Sequence, residues 1–297
     1  MDGTMVHQGA WKTRIEQYRQ ASDIHGGVFN LCMAALAIRL SRLNIPSKRL
    51  RLRLYRTIYG KKYAALNEAE LEQPLWAYPS FNALFTRGVR PELRPIPESA
   101  DQFFCPCDGK IQDIGQIKED KLLTVKGIPY TVGSLLAGME SRPFHNGNFA
   151  IIFLSPSDCH RIFSPQDGTI EEIVHVPGYR LLVHPPYQRK EFPVFTLNER
   201  VILRLKTPLG ECVLVLVAGW GVGNITLPLD RDFRPRLRRM NHKTYRPPLD
   251  VKRGEWLATF ELGSTAILIT EPAGEVVTHV GAEEPIKYGQ PVFSLRG

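Results

Sequence analysis

From residue 103 to its end the chain is written in short apolar and β-branched runs separated by Gly and Pro, and this punctuation restricts its fold more than any other feature. The runs are FAIIFL at 149–154, TIEEIVHV at 169–176, RVILRL at 200–205, ECVLVLVAGW at 211–220 and AILIT at 266–270. Each has the length and β-branched content of a strand. No long helical periodicity appears after residue 140, which disfavours alternating βαβ units. The expected fold class is mainly β (α+β): an antiparallel β sandwich or barrel-like body preceded by an amphipathic helical N-terminal region. The expected division is 1–100 for the helical, basic, membrane-associating region and 101–297 for a β-rich catalytic domain. The basic, Pro-rich stretch FRPRLRRMNHKTYRPPL, Phe233 to Leu249, reads as a long exposed loop.

The formal net charge of +8 is local. Between His25 and Asn67 stand Arg39, Arg42, Lys48, Arg49, Arg51, Arg53, Arg56, Lys61 and Lys62, with no Asp or Glu among them. Leu36, Leu40 and Leu43 precede Pro46 at helical spacing, and Leu50, Leu54 and Ile58 follow it, so two short amphipathic helices are expected. Such helices lie in the headgroup region of anionic bilayers, where each Lys or Arg contributes about 1 kcal/mol. The competing reading is a solvated basic face packed on the domain by its leucines. Tyr55, Tyr59 and Tyr63 interleave with the charge, but no groove-reading or single-strand-binding motif accompanies them, and a nucleic-acid partner is not expected.

Cysteines at 32, 105, 107, 159 and 212 are odd in number and lack the regular spacing of a disulfide scaffold, which points to a reducing compartment. Cys105-Pro106-Cys107 is one residue short of CxxC and has no second pair, so no metal site is expected. The first apolar stretch, Val28 to Ile38, contains Asn30 and runs into Arg39 without a cleavage site; it is too short to span a bilayer, and membrane contact is expected to be peripheral.

Phosphate-loop, GxSxG and HExxH signatures are missing, and GWGVGN at 219–224 lacks the third glycine of a dinucleotide loop. Four polar clusters in apolar or turn-rich surroundings remain: Asp108-Gly109 after Cys-Pro-Cys, Asp158-Cys159-His160-Arg161, Asn198-Glu199-Arg200, and Gly263-Ser264-Thr265. Taken singly each has an ordinary structural explanation: a turn, a cap, a core histidine, a local ion pair, a strand end.

In order along the chain they resemble the phosphatidylserine decarboxylase family. The resemblance runs through Phe81-Asn-Ala-Leu-Phe85-Thr-Arg87, Arg94-Pro95-Ile96, Asp108-Gly109, Val125-Lys126-Gly127, Leu135-Leu136 and Leu154-Ser-Pro-Ser-Asp158-Cys-His160-Arg161. It continues through Val176-Pro177-Gly178, Asn198-Glu199-Arg200, Val217-Ala-Gly-Trp-Gly-Val222-Gly223, Leu262-Gly263-Ser264-Thr265 and Lys287-Tyr-Gly289-Gln290.

The resemblance implies a self-processing enzyme. Ser264 would attack the carbonyl of Gly263, and the resulting ester would break down to leave a pyruvoyl cofactor on residue 264. A serine hydroxyl needs a base in reach, and the base works better when a carboxylate orients it. Glycine before the serine admits a strained backbone. By resemblance Asp108, His160 and Ser264 fill the catalytic roles, and Asn198, Arg200 and Gly223 contact substrate. The family's motif carries a second histidine where this chain has Phe163, and a tyrosine where it has Cys159, so His160 is left to serve both processing and turnover. Adjacent strand residues face opposite ways, which argues against a Cys159–His160 nucleophile pair.

The implied reaction converts phosphatidylserine to phosphatidylethanolamine and carbon dioxide on an anionic membrane surface, at the cytoplasmic face of the cell membrane. The implied assembly is a heterodimer of the two cleavage products. Two alternatives stand beside it: a non-processing lipid-binding relative, motivated by Phe163, and a pyruvoyl decarboxylase of another amine.

Overall fold

The computed structural model describes residues 36, 38–60, 65–123, 128–184, 188, 193–219, 224–233, 239–261 and 263–296. Gly223, most of the Val28–Ile38 stretch, and Lys61, Lys62 and Tyr63 lie outside the described residues. The chain divides into two units, Met1–Leu43 and Asn44–Gly297. In the first, residues 38–41 are helical, and Ser41 Oγ donates to the Ile38 carbonyl at 2.7 Å.

The second unit holds the strands. In chain order they are β1 (Gln102–Phe104), β2 (Gly109–Gln116), β3 (Lys121–Leu123), β4 (Pro129–Thr131), β5 (Asn148–Leu154), β6 (Arg161–Phe163), β7 (Gly168–Val176) and β8 (Arg200–Thr207). They continue with β9 (Gly210–Ala218), β10 (Ile225–Thr226), β11 (Asn241–Val251), β12 (Trp256–Phe260), β13 (Ser264–Thr270), β14 (Glu275–Thr278), β15 (Pro285–Ile286) and β16 (Pro291–Arg296). Eight of them form one antiparallel sheet in the order β11-β7-β8-β9-β13-β5-β2-β15, an open order rather than a closed barrel. Smaller sheets, β10-β12-β6 and β1-β16-β14, pack beside it.

Every strand-like run identified in the sequence lies in this large sheet. The middle strands β9 and β13 read as unbroken apolar runs because both of their faces are covered; all seven residues of β13 are buried. The Phe233–Leu249 stretch departs from the exposed-loop expectation. Phe233 is buried, and Asn241–Leu249 belongs to β11, which pairs with β7. The register of this pair breaks between Thr244 and Leu249, around Pro247 and Pro248. β11 is an edge strand, so its prolines forfeit no ladder bond on the open side, and its outer residues stay polar.

Ser47 caps the basic helix Lys48–Tyr59 by accepting from Leu50 N–H. The helix packs through Tyr55 and Tyr59 against Leu71, Leu75, Tyr78 and Leu84, and Tyr55 Oη donates to the Tyr78 carbonyl at 3.1 Å. Leu50, Leu54 and Ile58 form a separate stripe left exposed at 47%, 39% and 43%. These three side chains therefore do not pack the helix on the domain, which its tyrosines and Leu52 do instead. Residues 44–100 are joined to the β body by charged side chains that hold the site.

Candidate functional site

Two antiparallel rungs frame the site. Ser264, the first residue of β13, is opposite Leu154 of β5 on one side and Ala218 of β9 on the other. The chains then diverge and meet again where Arg161 of β6 pairs with Thr259 of β12 and Phe260 N–H donates to the His160 carbonyl at 3.0 Å. The spans 155–159 and 261–263 lie between these rungs, so the fold carries His160 and the Gly263–Ser264 bond to one end of the central strands.

Gly263 has φ +40°, in the left-handed region that a side chain disfavours. Its carbonyl oxygen accepts a hydrogen bond from Gly219 N–H at 2.9 Å. A Cβ on Gly219 would sit 2.6 Å from that oxygen and 2.8 Å from Val183 Cγ2, so only glycine allows this approach. Ser264 is completely buried, and its hydroxyl has no hydrogen-bond partner among the described residues. A buried hydroxyl without a partner costs about 1–3 kcal/mol, a cost that Thr265 and Thr270 of the same strand share.

His160 is also fully buried. Its Nδ1 lies 3.0 Å from the Asp158 carbonyl, which can only accept; Nδ1 therefore carries the proton, and Nε2 keeps its lone pair. Nε2 has no partner. Burial pushes the imidazole down to about 3 against the smaller opposing effect of the Asp158 carbonyl, with the Arg87 charge adding to the fall. The ring packs against Phe85 at a centroid distance of 4.0 Å. His160 is thus a neutral imidazole at physiological pH with its basic nitrogen unspent.

The carbonyl that orients His160 is itself fixed. Arg87, buried, donates through Nη2 to the Ser157 carbonyl at 2.5 Å and the Asp158 carbonyl at 3.3 Å, and through Nη1 to the Leu84 carbonyl at 3.2 Å. Asp158 closes the turn by accepting from Ser155 N–H at 2.8 Å and Ser155 Oγ at 2.7 Å. The sequence offered Arg87 only as part of a matching segment; an arginine inside Leu-Phe-Thr-Arg-Gly-Val was the available signal.

Asp108 is not on His160. It is buried and takes a two-pronged bond from Arg94, Nε to Oδ1 at 3.1 Å and Nη2 to Oδ2 at 2.7 Å, plus Tyr288 N–H at 3.0 Å. Lys287 Nζ stands 3.5 Å from Asp108 and 3.7 Å from Asp158. Among the described residues Asp108 is bonded by Arg94 and Tyr288 and not by His160, so this ion network stands where an Asp108–His160 pairing was expected. Phe163 stacks on Tyr288 at 3.9 Å within an apolar cluster that includes Val89 and Cys159. Cys159 turns its thiol to the Arg87 carbonyl at 3.5 Å, and burial pushes it up to about 11, so no thiolate faces His160.

Asn198 and Arg200 are spent on the backbone rather than left open to a substrate. Asn198 accepts from Leu181 N–H at 2.9 Å and donates to the Leu181 and Ala218 carbonyls at 2.9 and 2.8 Å. Arg200 holds the carbonyls of Ser134, Leu135, Thr196 and Asn198. Glu199 between them bonds His175 at 3.0 Å and Arg180 at 2.7 Å; burial alone would raise its carboxyl, and these partners hold it below the usual range. By fixing the Ala218 carbonyl, Asn198 sets the strand end from which Gly219 reaches Gly263.

A cavity of about 330 Å³ lies against the Arg161–Thr259 rung, lined by Glu72, Tyr78, Arg87, Arg161, Trp256 and Glu261 among others.

The chain matches the family model described as phosphatidylserine decarboxylase over residues 81–294. It is 36% identical over 270 residues to the phosphatidylserine decarboxylase proenzyme of Nitrosococcus oceani, covering 89% of this chain and 87% of that one. The proenzyme of Halorhodospira halophila is 36% identical, with 84% and 86% covered, and that of Marinobacter nauticus is 34% identical, with 89% and 94% covered.

Proposed function

The chain belongs to the phosphatidylserine decarboxylase family, and on that footing we propose that it is a proenzyme which cuts itself between Gly263 and Ser264 and then decarboxylates phosphatidylserine. The observation that carries this reading is the unpartnered, buried Ser264 hydroxyl beside a left-handed Gly263 whose carbonyl is already hydrogen-bonded by Gly219. Neither lipid binding nor strand packing calls for that combination.

In this reading His160 Nε2 takes the Ser264 hydroxyl proton as Oγ attacks the Gly263 carbonyl carbon. Gly219 N–H holds the carbonyl oxygen as it gains negative charge. The Asp158 carbonyl, pinned by Arg87, keeps His160 in the tautomer that leaves Nε2 basic. Asp108 acts at one remove: through Lys287 it braces Asp158 and the turn that presents His160. In this reading His160 serves both processing and turnover, and Phe163, where the family's motif has its second histidine, packs on Tyr288.

The residues at the bond fit the pyruvoyl group, since residue 264 needs no side-chain hydrogen bond to hold its place. That group supplies the electron sink through which the α-carboxylate of an amine-bearing headgroup leaves as carbon dioxide. Neutral His160, tied by its carbonyl to Phe260 N–H, is then the proton carrier in this reading. The two products stay together because β13 of the short chain remains between β5 and β9 of the long one, and β16 pairs with β1.

Intact-mass spectrometry of the purified protein tests the reading. The expected result is a chain ending at Gly263 and a second, residues 264–297, about 17 Da lighter than its plain sequence, together with carbon dioxide release from phosphatidylserine. A single full-length mass from folded protein would sink self-cleavage and bring forward the lipid-binding alternative.

Membrane attachment falls to the basic helix Lys48–Tyr59. Lys48, Arg49, Arg53 and Arg56 are exposed around the bare stripe Leu50, Leu54 and Ile58. Lys48 also stands 3.9 Å over the ring of Trp76, which is 41% exposed. No helix among the described residues is long and apolar enough to cross a membrane. The anionic cytoplasmic leaflet is the matching surface. Changing Leu50, Leu54 and Ile58 together to serine should weaken sedimentation with phosphatidylglycerol-containing vesicles by about tenfold or more while the protein still processes. Unchanged sedimentation would place the attachment elsewhere.

A further inference from the structure

Arg161 follows His160 directly, and its side chain faces the cavity of about 330 Å³ that adjoins the site. Its guanidinium carbon stands 4.2 Å over the Trp256 ring, and that indole is fixed by Nε1 donating to the Ala258 carbonyl and Thr259 Oγ1, both at 2.9 Å. Nη2 and Nη1 bond Glu72 at 2.9 and 3.2 Å, and Nε reaches the Thr86 carbonyl at 3.3 Å. Three of the five guanidinium N–H groups are thus engaged among the described residues, leaving one on each terminal nitrogen for a ligand. The other arginine of the lining, Arg87, is spent on backbone carbonyls. Arg161 is a clamped, partly desolvated cation with one unspent N–H on each terminal nitrogen, next in sequence to the basic histidine.

We propose that Arg161 binds the phosphodiester of the lipid headgroup, with Trp256 holding it in place; this rests on the decarboxylase reading above. The headgroup offers two anions, and the chemistry separates them. A cation on the departing carboxylate would stabilise a charge that the reaction must disperse, and would oppose turnover. The phosphodiester keeps its charge throughout, so a cation there binds ground and transition states alike. Glu72 competes with the phosphodiester for the same guanidinium, which keeps the site from binding anions indiscriminately.

The test is steady-state kinetics on a soluble short-chain phosphatidylserine, with complete processing of each protein checked by intact mass. Arg161→Gln should raise KM by about tenfold or more with kcat within about twofold. Glu72→Gln should lower KM, because the competing carboxylate is gone. A purely structural bridge would instead make both changes raise KM, and that outcome, or an unmoved KM, overturns the proposal. A fall in kcat at constant KM would put Arg161 on the reacting carboxylate and also overturn it. If Arg161→Gln fails to fold, Arg161→Lys keeps the charge and loses the fork, and an intermediate KM is expected. Wild-type protein that neither processes nor turns over would defeat the parent reading and this one with it, whereas a processed, active wild type whose KM is unmoved by Arg161→Gln defeats this one alone.

Discussion

Ser264→Ala should leave the full 297-residue chain uncut and abolish turnover, yet melt no lower than the wild-type chain before it is cut. The functional half follows because the alanine side chain has no oxygen to attack Gly263, and without the cut no reactive carbonyl arises on residue 264. The stability half follows from the packing. Ser264 sits in a strand paired on both sides, is wholly buried, and its Oγ bonds to nothing, so deletion removes a desolvated hydroxyl and breaks no contact. The change in stability should be within about 1 kcal/mol and in the favourable direction. Intact mass and a thermal melt on one sample check both. A melt lowered by many degrees would mean that the hydroxyl has a structural partner, and the loss of activity would then say nothing about chemistry.

The strands were legible because apolar runs in a sheet covered on both faces need no alternation, and Gly and Pro mark their ends. β11 was not, since an edge strand exposes one side and tolerates the charges and prolines that ordinarily signal a loop. The reactive bond and His160 were legible as short motifs, and the rungs at Leu154–Ser264 and Arg161–Thr259 explain why segments a hundred residues apart act together. Asp108 was misplaced for a physical reason. A motif records that a carboxylate is needed but not which cation reaches it first; Arg94, fourteen residues upstream, does so with both prongs of its fork. The exposed leucine stripe shows the same limit. Helical spacing identified an apolar face, while the side that packs is set by Tyr55 and Tyr59, which the leucine pattern conceals. Gly219 left almost no trace, because a backbone donor is invisible in a sequence apart from the absence of a side chain.

That donor gives the second large effect. Gly219→Ala should slow self-cleavage by about 10²–10³-fold, the loss typical of removing one donor from a developing oxyanion. The new Cβ would fall 2.6 Å from the Gly263 oxygen, and because the opposite wall is Val183 at 2.8 Å, the strand end has no side to retreat to except away from the scissile carbonyl. Pulse–chase labelling in cell-free translation reads the rate of chain splitting directly. A ladder bond lost anywhere along β13 would also cost stability, so the comparison that isolates chemistry is Gly147→Ala. Its Cβ would strike the carbonyl oxygen of Thr270 at the far end of the same strand. If Gly219 acts on the oxyanion, Gly147→Ala destabilises the fold but splits at nearly the wild-type rate, and the two variants separate. If both slow alike, the Gly219–Gly263 bond is one rung of a sheet and processing follows folding. The first outcome is expected because in the uncut chain the donor already points at the oxygen on which charge will gather, at 2.9 Å, with no rearrangement left to make.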